Sequence, residues 1–396
     1  MNLSMSSKNK TLLLLAITSA LAATMPQALN AAEPTSLAGK ESAGFVVSDI
    51  KYALSENFDE VLSCPQGVSK NEFEIYAKTP EGARKSTETE DDFEKRAMQA
   101  AYAKMANGGK NLCLHPELAE KDPYFRVLDN TREQTQGINL DGRASADDFS
   151  TPDGEQGIDN QFLRLVGCSQ SFQPSGTSNG FAIEMLAGSW GILLSLSGVD
   201  DWQNDDLVEV SIFANADPIQ LSPARKPLHY ASYNYDSDSR FQTVTKGKIK
   251  DGVLTTEPAD MRFHHVTNAL MLERIFVDAQ IKASISDDGA LSGYLAGYMP
   301  IEALYDYQFG YRHATLADGS LAPEARRVQT SNGASFVLGY TCQGVYQAMH
   351  HLADGHYDPI EKQFTSISTQ MKFEAVPAFV IETDSRNTDI TSTGAQ

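Results

Sequence analysis

Gly247-Lys248-Ile249-Lys250-Asp251-Gly252-Val253-Leu254-Thr255-Thr256 is the stretch that decides the fold. Lysines flank Ile249 before an Asp-Gly pair, and threonines follow Leu254 after it. Period-two alternation marks a half-buried strand, and Asp-Gly is the two-residue turn whose twist matches that of paired strands. The stretch predicts an antiparallel hairpin. A second hairpin is expected over Ile281 to Tyr294, turning at Asp287-Asp288-Gly289. Gly191-Ile192-Leu193-Leu194-Ser195-Leu196 and Leu207-Val208-Glu209-Val210-Ser211-Ile212-Phe213 have strand composition, as does Phe162-Leu163-Arg164-Leu165-Val166. Many short strands without long intervening helices predict a mainly β protein, an antiparallel β-sandwich.

On either side of this β region the pattern changes. Phe45-Val46-Val47 with Ile50, and Phe73-Glu74-Ile75-Tyr76, read as short extended pieces. From about Asp91 to Ala106, Phe93, Ala97, Ala101 and Met105 share one helical face, and Asn107-Gly108-Gly109 supplies the stop. After Cys342, a helix from Val345 to Asp354 is closed by Gly355. In the run Gln370 to Ile381, Met371, Phe373 and Ala375 alternate inward against Lys372 and Glu374. The expected organisation is a signal peptide over 1–32, a mixed α/β N-terminal portion over 33–135 and the sandwich over 136–335. A C-terminal helix and strand over 336–382 pack on the sandwich, and a flexible tail occupies 383–396.

The chain has 396 residues, 32 Lys plus Arg against 52 Asp plus Glu, and a formal charge of −20. Nucleic-acid and polybasic membrane-surface roles need clustered cations, so this balance argues against both. The start carries Lys8 and Lys10, then an apolar run from Thr11 to Ala23, then small residues around Ala28 to Ala32. That order is a secretory leader, too short to span a bilayer, with cleavage expected after Ala32 or after Ala22. Loss of residues 1–32 removes two lysines and no acid, leaving −22. The expected location is periplasmic or secreted, without membrane insertion.

Export gives the four cysteines, Cys64, Cys113, Cys168 and Cys342, a reading as two disulfides. Three connectivities are possible; the expected one is Cys64–Cys113 with Cys168–Cys342. No C-x-x-C spacing occurs, so thioredoxin-like redox chemistry has no motif.

Asp153-Gly154-Glu155-Gln156-Gly157-Ile158-Asp159-Asn160 is the densest polar loop. Asp153, Glu155, Asp159 and Asn160 offer hard oxygens, and calcium takes roughly six to eight of these at about 2.3–2.6 Å. Asp141, Asp147 and Asp148 lie just upstream. The loop lacks the EF-hand register and is partly similar to the D-G-x-D-N loops of thrombospondin-type calcium repeats. A second acidic loop places Trp202 among Asp200, Asp201, Asp205 and Asp206. There an exposed indole would stack on a sugar ring while Asp201 and Asp205 bind its hydroxyls; the competing reading folds Trp202 back on the sheet. His350, His351 and His356 have no zinc-protease spacing and read as structural, as do His264, His265 and His313. Gly176-Thr177-Ser178-Asn179-Gly180 matches the nucleophile-elbow pattern but follows loop residues instead of a strand.

Asn139-Leu140-Asp141-Gly142, then Ser150-Thr151-Pro152-Asp153-Gly154 through Gly157-Ile158-Asp159-Asn160-Gln161 to Gly167-Cys168, resembles an uncharacterised family of secreted bacterial proteins. Tyr340-Thr341-Cys342 and Ala375-Val376-Pro377-Ala378-Phe379 are similar to its C-terminal part. The resemblance implies export and a shared Asp/Asn loop, and it carries no activity. The functional expectation is an exported, non-enzymatic binding or structural protein with an extracellular ligand or protein partner. The alternative is an extracellular hydrolase of glycans or esters. If the 153–160 loop holds calcium, the melting temperature is higher in calcium than in EDTA; equal values remove the ion from the account.

Overall fold

A computed structural model describes residues 37, 39–128, 132–174, 176, 181–188 and 190–382. The expected leader over 1–32, Thr177 to Gly180 and the tail over 383–396 lie outside them. The strands are β1 (Ser42–Tyr52), β2 (Phe149–Ser150), β3 (Gln156–Ile158), β4 (Ile192–Ser197), β5 (Asn204–Ala214), β6 (Ala231–Asn234) and β7 (Gln242–Lys250). They continue as β8 (Val253–Thr256), β9 (Ala259–Thr267), β10 (Leu270–Ile285), β11 (Leu291–Pro300), β12 (Gly355–Asp358) and β13 (Gln363–Ile381). The helices are α1 (Glu60–Ser63), α2 (Glu72–Ala77), α3 (Glu90–Ala106), α4 (Gln161–Val166), α5 (Phe181–Leu186), α6 (Ile301–Tyr305), α7 (Glu324–Leu338) and α8 (Cys342–Leu352).

Eleven strands form one sheet, hydrogen-bonded in the order β1-β4-β5-β7-β8-β10-β11-β13-β12, with β6 added on β13 and β9 on β10. β1 also pairs with β13, antiparallel from Gly44↔Ala378 to Tyr52↔Met371, so the sheet closes on itself. The expectation of a mainly antiparallel β protein with a small helical N-terminal portion and a disulfide-held C-terminal helix and strand holds. Closure is the added feature: both layers belong to one sheet.

The hairpin at Asp251-Gly252 forms as the sequence demands, with φ of 51° and 72° at the turn and Lys250 opposite Val253. The next hairpin pairs Ile285 with Leu291. Along β7, Gly247 and Ile249 are buried while Lys246, Lys248 and Lys250 face water. Val47, Ile50, Leu194, Ile212, Ile281, Leu295 and Phe373 converge inside and leave an apolar void of only about 10 Å³. An apolar inside and a charged outside invert the polarity of membrane barrels. No helix among the described residues is long and apolar enough to cross a membrane.

β10 is twice engaged. Lys282 to Ser284 pair with β8, whereas Leu270 to Ala279 pair with β9. Pairing of β10 with β11 begins only at Val277, so the first half of β10, paired with β9, runs past the end of β11 as an overhang, while Met261 and Phe263 of β9 stay buried in the core.

Four sequence expectations change. Phe162 to Val166 is helix α4, capped by the Asn160 side chain, which accepts from the Leu163 N–H. Phe73 to Tyr76 lies in helix α2, where Asn71 and Glu74 form a reciprocal capping box. Apolar runs this short fit a strand or a buried helix, and here the caps decide. β1 and β13 pair in the closed sheet, so the portions distinguished at 135 and 335 meet in one hydrogen-bonded ladder.

The fourth change is the disulfide pairing, which is Cys64–Cys168 and Cys113–Cys342 instead of Cys64–Cys113 and Cys168–Cys342. As helix α4 ends, it sets Cys168 beside the end of α1, and the Ser69 N–H donates to the Cys168 carbonyl. Cys113 meets the first residue of α8, with the Tyr305 hydroxyl donating to the Cys113 carbonyl at 3.0 Å. Peptide mapping without reduction should recover these two cross-links. Replacing Cys113 and Cys342 together by Ala should lower unfolding stability by about 2–5 kcal/mol.

Candidate functional site

The filled barrel leaves little room inside for a ligand, and a large concavity lies beside the β9–β10 overhang. It has a volume of about 710 Å³. One wall is the overhang itself, with His264, His265 and Val266 from β9 and Met271, Glu273 and Ile275 from β10. The segment after β6 adds Asp236, Asp238, Arg240 and Phe241, and Asn215 enters from the end of β5. Ala303 and Asp306 at α6 complete the lining with the loop from His313 to Gly319, whose Thr315 is hydrogen-bonded through its backbone to Met271 of β10. Small-molecule sites of roughly 300–1,000 Å³ favour such mouths and element junctions.

The charges in this cleft are paired within its walls. His264 Nε2 meets Asp236 Oδ2 at 2.7 Å, and Phe241 packs against the same imidazole with ring centroids 3.9 Å apart. Arg240 binds Asp238 at 2.8 Å and Glu273 at 3.0 Å, while Arg262 also pairs with Glu273. The Arg240 hydrogen bond holds the Asp238 carboxyl below its usual range. Asp306 receives Arg312 Nε at 2.6 Å and also pairs with His313. Arg312 reaches on to Glu302, whose carboxyl is held at about 2 by hydrogen bonds from His350 and Arg312.

Beneath the wall, Arg274 is fully buried, its guanidinium 4.8 Å from the Trp190 ring centroid and 5.1 Å from that of Tyr307. It donates to His265 Nδ1 at 3.2 Å. Arginine has only donors, so Nδ1 carries no proton and Nε2–H points to Thr267 Oγ1, 2.9 Å away. Burial and the Arg274 charge push the His265 pKa well below its ordinary value, which keeps the ring neutral.

The residues singled out from sequence stand elsewhere. Asp153 lies exposed on the β2–β3 turn and hydrogen-bonds Thr151, while Glu155 reaches Lys282 at 3.5 Å. Asp159 points inward and accepts the Leu140 N–H at 2.6 Å. Asn160 caps α4 and donates to the Ala53 carbonyl at 3.0 Å. The four side chains are committed to four different partners. In the second acidic loop, Trp202 is 8% exposed and donates its N–H to the Lys40 carbonyl at 2.8 Å. The exposed sugar-stacking indole is therefore corrected: the ring folds back on the sheet. Asp201 and Asp205 accept N–H groups of Gln203 and Leu207, as turn carboxylates do. His350 contacts Glu302 at 3.6 Å, and His356 bridges Ser366 and Asp278, so these histidines share no centre. Among the described residues, no group of three His, Cys, Asp or Glu is arranged to hold a metal ion.

Sequence reasoning set His264, His265 and His313 aside and did not single out Asp236 or Asp306. His264 lies 28 positions from its carboxylate, on a different element, so no local spacing exposes the pair.

No family model, curated protein or solved structure matches this chain.

Burial pushes the Asp159 carboxyl up to about 7, opposed by the Leu140 N–H and reinforced by Asp148 and Asp141. Burial likewise raises Asp354 to about 6, against hydrogen bonds from Ser368. A raised carboxyl binds its proton more tightly in the native state than in the unfolded chain. Its contribution to stability therefore falls as pH rises from the unfolded value of about 4 through the folded one. The urea midpoint should be higher at pH 5 than at pH 8, and Asp159→Asn should narrow that gap. An unchanged gap in the variant would remove Asp159 as its source.

Proposed function

We propose that this chain is an exported binding protein that holds a small polar molecule in the cleft beside the β9–β10 overhang, without turning it over. The observation that carries the reading is the cleft itself: about 710 Å³, lined by polar groups already paired, Arg240 with Asp238 and Glu273 and His264 with Asp236. Such a wall presents donors and acceptors in fixed positions and needs no counter-charge from the ligand. Export is supported by the leader-like start and by the use of all four cysteines in two disulfides, which persist in oxidising compartments.

One observation favours the hydrolase reading. His264 held by Asp236 at 2.7 Å is the base-and-orienter half of a catalytic dyad, and it would activate water toward an ester or glycoside. In that case, hydrolysis of p-nitrophenyl esters or glycosides disappears in His264→Asn; no turnover by the parent protein leaves binding alone.

The binding reading is tested by a thermal-shift screen of small molecules and glycans, run in parallel on Ala317→Trp. Ala317 lines the cleft and is exposed, so the indole fills the mouth without entering the core. Ligands of the cleft should raise the melting temperature of the parent and lose that effect in the variant. Hits that shift both proteins equally would place binding elsewhere.

A further inference from the structure

One buried donor that lines this cleft, Asn215 Nδ2, has no protein partner among the described residues; Trp190 Nε1, outside the lining, has none either. Asn215 lines the cleft and is 5% exposed. Its orientation is fixed, because the Asp217 N–H, which can only donate, meets Oδ1 at 3.0 Å and leaves Nδ2 as the free end. Trp190 packs beside His265, another lining residue, with ring centroids 6.1 Å apart. Native proteins give nearly every buried donor an acceptor, so an orphan donor in the cleft lining points to an acceptor oxygen brought by something else.

The rim carries both kinds of group. Asp236, Asp238 and Glu273 present carboxylate oxygens, which only accept; Arg240 donates to Asp238 and Glu273, and His264 is hydrogen-bonded to Asp236. An incoming molecule must therefore accept from Asn215 and both donate to and accept from a rim whose Arg240 is already paired with Asp238 and Glu273. A hydroxyl does both. An ammonium has no lone pair for Asn215, and a carboxylate has no proton for the rim carboxylates.

We propose that the cleft takes a neutral polyhydroxylated molecule of the carbohydrate class, one of whose oxygens accepts from Asn215 Nδ2. This rests on the ligand-binding reading of the same cleft and narrows it to a chemical class.

Isothermal titration of the purified protein with glucose, galactose, mannose, N-acetylglucosamine and myo-inositol tests it, with glucosamine and glucuronate as charged counterparts. At least one neutral member should bind. Asn215→Asp keeps the acceptor for Asp217 and replaces the donor, so it should weaken that binding roughly tenfold or more. Asp236→Asn should also weaken it, which keeps the test decisive if the buried aspartate prevents folding. Binding of the charged members alone, binding indifferent to both substitutions, or no binding by any neutral member overturns the proposal. If library hits blocked by Ala317→Trp persist while the neutral panel fails, the carbohydrate class falls and the cleft remains a binding site.

Discussion

The pairing of β1 with β13 is the interaction on which the remaining structure depends. β13 is bonded along one edge to β1 and along the other to β11, and its two ends also carry β6 and β12. Without the β1–β13 ladder the sheet would have two open edges, and Phe45, Val46 and Val47, all buried, would lose a neighbour. Because these strands come from opposite ends of the described chain, closure is a long-range event. Its loop-closure entropy is overcome only when most intervening strands are in place.

Closure has a direct consequence for function. An eight-stranded ring is just wide enough for its own side chains to fill, and here they do. A ligand must therefore find its place on the outside or at an end. The long β10 supplies it, since its first half outruns β11 and carries β9 with it. The overhang, the segment after β6 and the residues around α6 together line the cleft.

Rigidity of that wall comes from beneath. Arg274, between Trp190 and Tyr307, ties β10 to the strand that follows Trp190, and His265 is locked in one tautomer by the same guanidinium. On the far side of the sheet, Gln370 of β13 performs a comparable task. Its amide donates to the carbonyls of Ile138 and Asp159 and accepts the Ile138 N–H, pinning the Asp/Asn segment to the barrel. A helix from 161 to 166 then carries Cys168 to Cys64. The Asp/Asn segment is thus bound to the scaffold by main-chain hydrogen bonds, which explains why Asp159 and Asn160 face inward.

What the sequence determined by itself was local. Period-two alternation around Asp251-Gly252 and Asp287-Asp288-Gly289 placed two hairpins, since a strand's faces and its turn are set by neighbouring residues. The Ala97, Ala101 and Met105 stripe placed α3 for the same reason. An even cysteine count with an export-like start announced two disulfides. Tertiary structure decided everything that required distant positions to meet: closure of the sheet, which cysteine found which, and the side on which Trp202 came to rest. It also decided the cleft, because His264 and Asp236, or Asn215 and its unfilled donor, become a site only when the overhang brings separate strands together. Spacing along a chain encodes faces of elements, while approach between elements is set by packing, and the cleft belongs to the second kind.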